Sequence, residues 1–131
     1  MSPIVSFDEK DLLRGQVYPP AWYRVLIEAI GEKQAKNGES TNYPVEGKII
    51  RNADDGDTTY ANYPLDWNFN SKAMGFAKGF FVAMGQEIEA KKRYDLAGFA
   101  GKVIDVFVEN DMFDGRVVNR VNHKYRQASA D

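Results

Sequence analysis

The stretch Gly101-Lys102-Val103-Ile104-Asp105-Val106-Phe107-Val108-Glu109-Asn110-Asp111-Met112-Phe113-Asp114-Gly115-Arg116-Val117-Val118-Asn119-Arg120-Val121-Asn122-His123-Lys124-Tyr125 reads as two strands joined by a tight turn. Ile104, Val106 and Val108 alternate with Val103, Asp105 and Phe107, the period-two signature of a strand with one buried face. Asp114-Gly115 supplies the positive backbone dihedrals that a tight reversal needs. The second strand carries Arg116, Arg120, Lys124 and Arg126. The hairpin is therefore cationic on its second strand, with aromatic residues near its turn.

Upstream, residues 1–20 form a lead-in ending in Tyr18-Pro19-Pro20, which breaks regular structure. Trp22 to Ile30 alternates, with Tyr23, Val25, Ile27 and Ala29 on the face to be buried and Arg24 and Glu28 on the other. The polar segment from Gly31 to Thr41 contains Lys33 and Lys36 and turns at Asn37-Gly38. Tyr43, Val45, Gly47 and Ile49 then alternate against Glu46 and Lys48, with Pro44 pointing to an edge or a strand beginning. An acidic turn surrounds Asp55-Gly56. A third strand follows between Thr58 and Phe69, where Tyr63, Leu65, Trp67 and Phe69 share one parity. Asn70 or Ser71 can cap a helix running to about Met84, with Gly85 as its stop. Within it, Gly75 and Gly79 suggest close backbone packing against strands. Asp95 can cap one further turn through Leu96 to Phe99.

The chain has 131 residues, 44% of them hydrophobic, enough for one domain with a core of its own. It has no cysteine, which excludes a disulfide framework and thiolate metal sites and fits a reducing cytoplasm. No apolar run approaches the ~20 residues of a membrane span. The Met-Ser-Pro opening lacks a signal-peptide pattern. A soluble cytoplasmic protein is expected. Net charge is formally -2, from 17 basic and 19 acidic residues, less basic than a dedicated duplex binder. Nucleic-acid contact would have to come from segregated charge.

Three strands, a helix and two strands make the element order of an OB-fold, a partly open five-stranded Greek-key barrel with its helix between strands three and four. The domain is expected over residues 21–126, with a flexible tail at 127–131. Gly31, Gly47 and Gly101 suit the bends of a small barrel. Short motifs add a resemblance. Trp22-Tyr23-Arg24-Val25 after the proline-rich lead, Lys36-Asn37-Gly38, Trp67-Asn68-Phe69-Asn70 before a helix, and Gly101-Lys102 before a strand are among them. With Phe113-Asp114-Gly115-Arg116 and Asn119-Arg120-Val121, the chain resembles small bacteriophage single-stranded DNA-binding proteins of OB-fold type. The resemblance implies a barrel that coats single strands during phage replication or recombination, in the host cytoplasm and without catalysis. Replication or recombination proteins and further copies of the chain are the partners it suggests.

Single-strand binding needs cations spaced along a groove and flat side chains on which bases stack. The candidate cations are Arg24, Lys33, Lys36, Lys48, Arg51, Arg116, Arg120, Lys124 and Arg126. In an OB-fold the second and third strands and the loops joining strands one to two and four to five form the usual binding face. The stacking candidates are Tyr60, Trp67, Phe69, Phe107 and Phe113, of which Tyr60, Phe107 and Phe113 are favoured. Tyr60 lies on the opposite parity to the interior set of Tyr63, Trp67 and Phe69. Phe107 is either exposed or packed under the helix, and Phe113 sits at the turn. The decisive expectation is that Lys33, Lys36, Lys48, Arg116 and Arg120 converge on one concave face around an exposed ring. A protein-interaction barrel is the competing reading, favoured by the near-neutral charge.

Enzyme chemistry finds little support. His123 is the sole histidine, without partner spacing for a metal or a triad. Asp54, Asp55 and Asp57 around Gly56 lack the rest of a calcium-binding pattern, so a solvated acidic turn is expected. No phosphate-cradling glycine loop or nucleophile elbow occurs. No metal and no cofactor is expected.

Overall fold

A computed structural model describes residues 2–36 and 38–129. It is mainly β. The elements run α1 (Glu9–Leu13), β1 (Ala21–Ile30), β2 (Lys33–Gln34), β3 (Thr41–Asn52), β4 (Pro64–Asn70), α2 (Met74–Ala83), β5 (Val103–Phe113) and β6 (Arg116–Gln127). Six strands, rather than the five expected, make one antiparallel sheet in the order β2-β3-β1-β5-β6, with β4 on the other edge of β3. The extra strand is short. β1 and β2 lie along the same edge of β3, β1 opposite residues 45–52 and β2 opposite 41–42.

Pro44 stands at the break between them. It is neither on an edge nor at a strand start, as it pairs with Asn68 of β4. The Gly31 N–H donates to the Pro44 carbonyl at 2.8 Å. The side of Pro44 that lacks an N–H thus faces the interruption, where no ladder bond is lost.

The inward parity of each strand supplies the core. Tyr23, Val25 and Ile27 of β1, Val45 and Ile49 of β3, Leu65 and Phe69 of β4, and Ile104, Val106 and Val108 of β5 are all buried. Each such aliphatic or aromatic side chain contributes about 1.5–3 kcal/mol of burial. Ala29 leaves this pattern and is exposed, because the β1–β3 register shifts between Ile27 and Ala29. Gly47 lies where three strands crowd together. A Cβ there would stand 2.7 Å from Val25 Cγ1 and 2.9 Å from the Leu65 carbonyl oxygen, so only glycine fits.

Asn70 caps a single 3-10 turn at Ser71–Ala73 by accepting from the Lys72 N–H at 2.8 Å, and α2 follows. Gly85 ends it with φ +83. α2 packs against β6 and β4, with the Phe80 ring 5.8 Å from Trp67 and 5.3 Å from Tyr125. Gly75 meets nothing within 4 Å of a built Cβ, and Gly79 meets only the Tyr125 ring at an ordinary 3.6 Å. The close backbone packing expected at these glycines is absent. Asp95 caps Leu96–Phe99 as its sequence position predicts.

The lead-in is more structured than expected. Asp8 and Asp11 form a reciprocal capping box that starts α1. Tyr18 belongs to the core, and its hydroxyl donates to the Pro64 carbonyl at 2.8 Å. The Asn119 side chain accepts from the Tyr18 N–H and donates to the Gln16 carbonyl, fastening this segment to β6. At the other end, Gln127 closes β6 and the Ser129 hydroxyl accepts from Arg24 at 2.9 Å. Asn37, expected in a turn, and Ala130 and Asp131 of the expected tail lie outside the described residues.

Candidate nucleic-acid interface

The outer parity of the β1–β5–β6 layer carries most of the candidate cations, and strand pairing brings acidic partners to Arg24, Arg120, Lys124 and Arg126. Arg24 faces Asp105 across β1 and β5. Its Nε donates to Asp105 Oδ1 at 3.0 Å, with the two side chains 5% and 2% exposed. Asp105 Oδ2 accepts from Arg126 Nε at 3.0 Å, and Arg126 also reaches Asp54 at 2.5 Å. Arg24 is therefore sealed in an ion pair and has no free edge for a phosphate. Lys124 lies 3.5 Å from Glu109 and Arg120 lies 2.7 Å from Asp111. The bonds to Asp54 and Asp105 hold the Arg126 pKa above its ordinary value.

Rings interleave with these charges. Phe107 sits edge-on to Trp22 at 5.4 Å, on the outer face and away from the helix. Lys124 Nζ is 5.4 Å from the Phe107 centroid and the Arg126 guanidinium 4.4 Å from that of Trp22. Both rings are half-buried. Sequence reasoning gave Trp22 no role, and its position on the parity of Arg24 was the available signal.

A bulge shapes this face. Val106 pairs with Tyr125 but Val108 with Val121, so Asn122, His123 and Lys124 all stand opposite Phe107. His123 adopts φ +57, which turns its ring to the opposite side. There it stacks on Phe76 at 5.0 Å, with Nδ1 3.0 Å from the Tyr125 hydroxyl. Burial lowers its pKa.

Tyr60 packs into a tyrosine cluster, 5.5 Å from Tyr18 and 5.4 Å from Tyr63. It is half-buried rather than presented as a stacking platform. Burial raises the Tyr18 pKa and pushes Tyr23 up to about 12, so these two hydroxyls stay protonated. Asp54, Asp55 and Asp57 form a solvated turn braced by Asn52, whose side chain accepts from the Asp54 and Asp55 N–H groups.

What remains open is the hairpin tip. Beyond Val108 the β5–β6 pair continues past the Ala21 start of β1. At its end Asp114 and Gly115 take φ +50 and +75, the two-residue turn that the sequence predicts. Phe113 is 58% exposed, and Met112 and Val117 are exposed beside it. Arg116 pairs directly with Phe113 in the ladder and has no ion-pair partner among the described residues. Lys33 and Lys36 are exposed beyond the other end of β1. Lys48 is half-buried, beside Asp8, Glu9 and Glu28. Arg51 lies next to Arg24 in the ladder and is half-buried. The five cations expected to converge are thus carried off opposite ends of β1, with Lys48 between acids.

A second basic region went unread in the sequence. Lys91, Lys92 and Lys78 border a groove of about 450 Å³ between α2 and the connection to β5. The run Lys91-Lys92-Arg93 before Tyr94 was the signal that could have found it. Comparison with family models and with curated proteins finds no match to this chain.

Proposed function

We propose that the chain is a non-catalytic single-stranded DNA-binding module on an OB-type barrel, with little sequence preference. Taking β2 as the continuation of β1 leaves five strands in the order β4-β3-β1-β5-β6, with α2 following β4 and packing against both outermost strands. That arrangement supports the barrel reading. The observation that carries the function is the ladder pairing of exposed Phe113 with Arg116, which has no ion-pair partner among the described residues, at the end of the hairpin. A ring for base stacking and a guanidinium for phosphate stand side by side on an arm whose other cations are occupied. Lys33 and Lys36 supply a second phosphate-contacting set. Replication or recombination of phage DNA is the setting that the sequence resemblance suggests.

The test is anisotropy of a labelled oligothymidylate at two salt concentrations. Binding at low salt that weakens steeply with added salt is expected, since counterion release drives it. Phe113→Ala should cost ~1–3 kcal/mol of that binding. Absence of binding at low salt refutes the reading. A protein-interaction barrel then takes its place, favoured by the exposed apolar trio Met112, Phe113 and Val117 and by the charge-compensated outer face.

A further inference from the structure

The groove between α2 and the connection to β5 has a floor of Met74, Ala77, Phe81 and Ile88. Its rim carries Lys78, Lys91 and Lys92, none of which has an ion-pair partner among the described residues. Glu87 and Glu89, in the same connection, do not line it. The site is apolar below and positive at the edge. Its occupant should be an apolar segment bearing carboxylates, which nucleic acid is not.

The chain carries such a segment. Ile4 is 94% exposed and Phe7 70%, with Val5 exposed between them. Asp8 and Glu9 follow at once, and residues 2–8 belong to no helix or strand. In an extended segment Val5 and Phe7 project to the same side about 7 Å apart. Three exposed apolar side chains within four positions, then two carboxylates, complement a lysine-rimmed apolar groove.

We infer that the N-terminal arm of one copy of this chain, residues 4–9, docks in the α2 groove of a second copy. Val5 and Phe7 enter the apolar floor, and Glu9 together with Asp8 Oδ2, the oxygen that the α1 cap does not use, meets Lys78, Lys91 and Lys92. Arm and groove are different surfaces, so the contact is head-to-tail. It propagates into open chains unless a ring closes.

Sedimentation velocity over a concentration series up to about 1 mM tests this, because a contact of this size is expected to be weak. Two variants separate arm from groove. Val5→Asp with Phe7→Asp spoils the arm at exposed positions. Gly75→Trp fills the groove from a helix position where a built Cβ meets nothing within 4 Å. Wild type should form species beyond the dimer, and each variant alone should stay monomeric. Their equimolar mixture should stop at the dimer, since it holds one good arm and one good groove. A labelled peptide of residues 2–9 should bind the arm variant, and Gly75→Trp introduced into that variant should weaken binding at least about tenfold. Persistent association of either variant alone, or a wild type monomeric throughout, overturns the inference. So does a Gly75→Trp protein that loses oligonucleotide binding but still self-associates, which would make the groove a nucleic-acid site.

Discussion

Two carboxylate–guanidinium contacts on the outer side of β5 lie six residues apart and have little else in common. At the base of the hairpin, Asp105 is buried between Arg24 and Arg126, where β1, β5 and β6 run side by side. Toward the tip, Asp111 and Arg120 meet at 2.7 Å with about half of each side chain in water. Only two strands run there. The same chemistry therefore performs two tasks, because solvent screens one pair and not the other. The base fixes three strands in register. The tip is left chemically available.

The largest test of that contrast is Asp105→Ala, which strands the Arg24 guanidinium in a buried position. A loss of about 3–5 kcal/mol in urea unfolding is expected. A loss below that of an exposed pair would erase the distinction between base and tip. Gly47→Ala comes next. The added methyl must displace Val25 or the Leu65 backbone, for an expected cost of about 1–3 kcal/mol by the same measurement. Phe113→Ala sharpens the comparison from the other side, as its loss falls on oligonucleotide affinity and leaves the unfolding midpoint unchanged.

His123 gives a smaller, pH-dependent effect. Its folded pKa is lowered by burial, so the unfolded chain takes up a proton first as pH falls. Its contribution is complete above about pH 6.5 and is lost as pH falls from there through the folded pKa. His123→Asn should remove this slope while tolerating the left-handed backbone. Midpoints of urea unfolding across pH 5–8 read it out. Arg120→Ala is the smallest, within about 1 kcal/mol in unfolding.

Local signals were legible in the chain. The Asp114-Gly115 turn, the alternation of Ile104, Val106 and Val108, the caps at Asn70 and Asp95 and the stop at Gly85 each lie within a few residues of what they specify. The burial of Arg24 was not legible, because its partner Asp105 is 81 positions away and only the β1–β5 register unites them. Arg120 and Lys124 of β6 looked free for the same reason, since Asp111 and Glu109 become their neighbours only once the hairpin closes. The lysine groove needs a connection to fold back over α2. The packing of Tyr60 was not legible because residues 59–62 turn before β4 begins, so strand parity does not reach it. The α1 capping box of Asp8 and Asp11 starts a helix of 5 residues with none buried, too short for an apolar period to mark it.

Among the described residues β6 is the outermost strand on its side, its ladder made with β5. The left-handed step at His123 interrupts its outward row of amides and carbonyls about midway. A stray extended chain cannot zip along that border without meeting the kink. The bulge that seats an imidazole against α2 thus doubles as a guard against fibrillar stacking. Trimming it to a straight ladder would trade a local irregularity for a colloidal hazard.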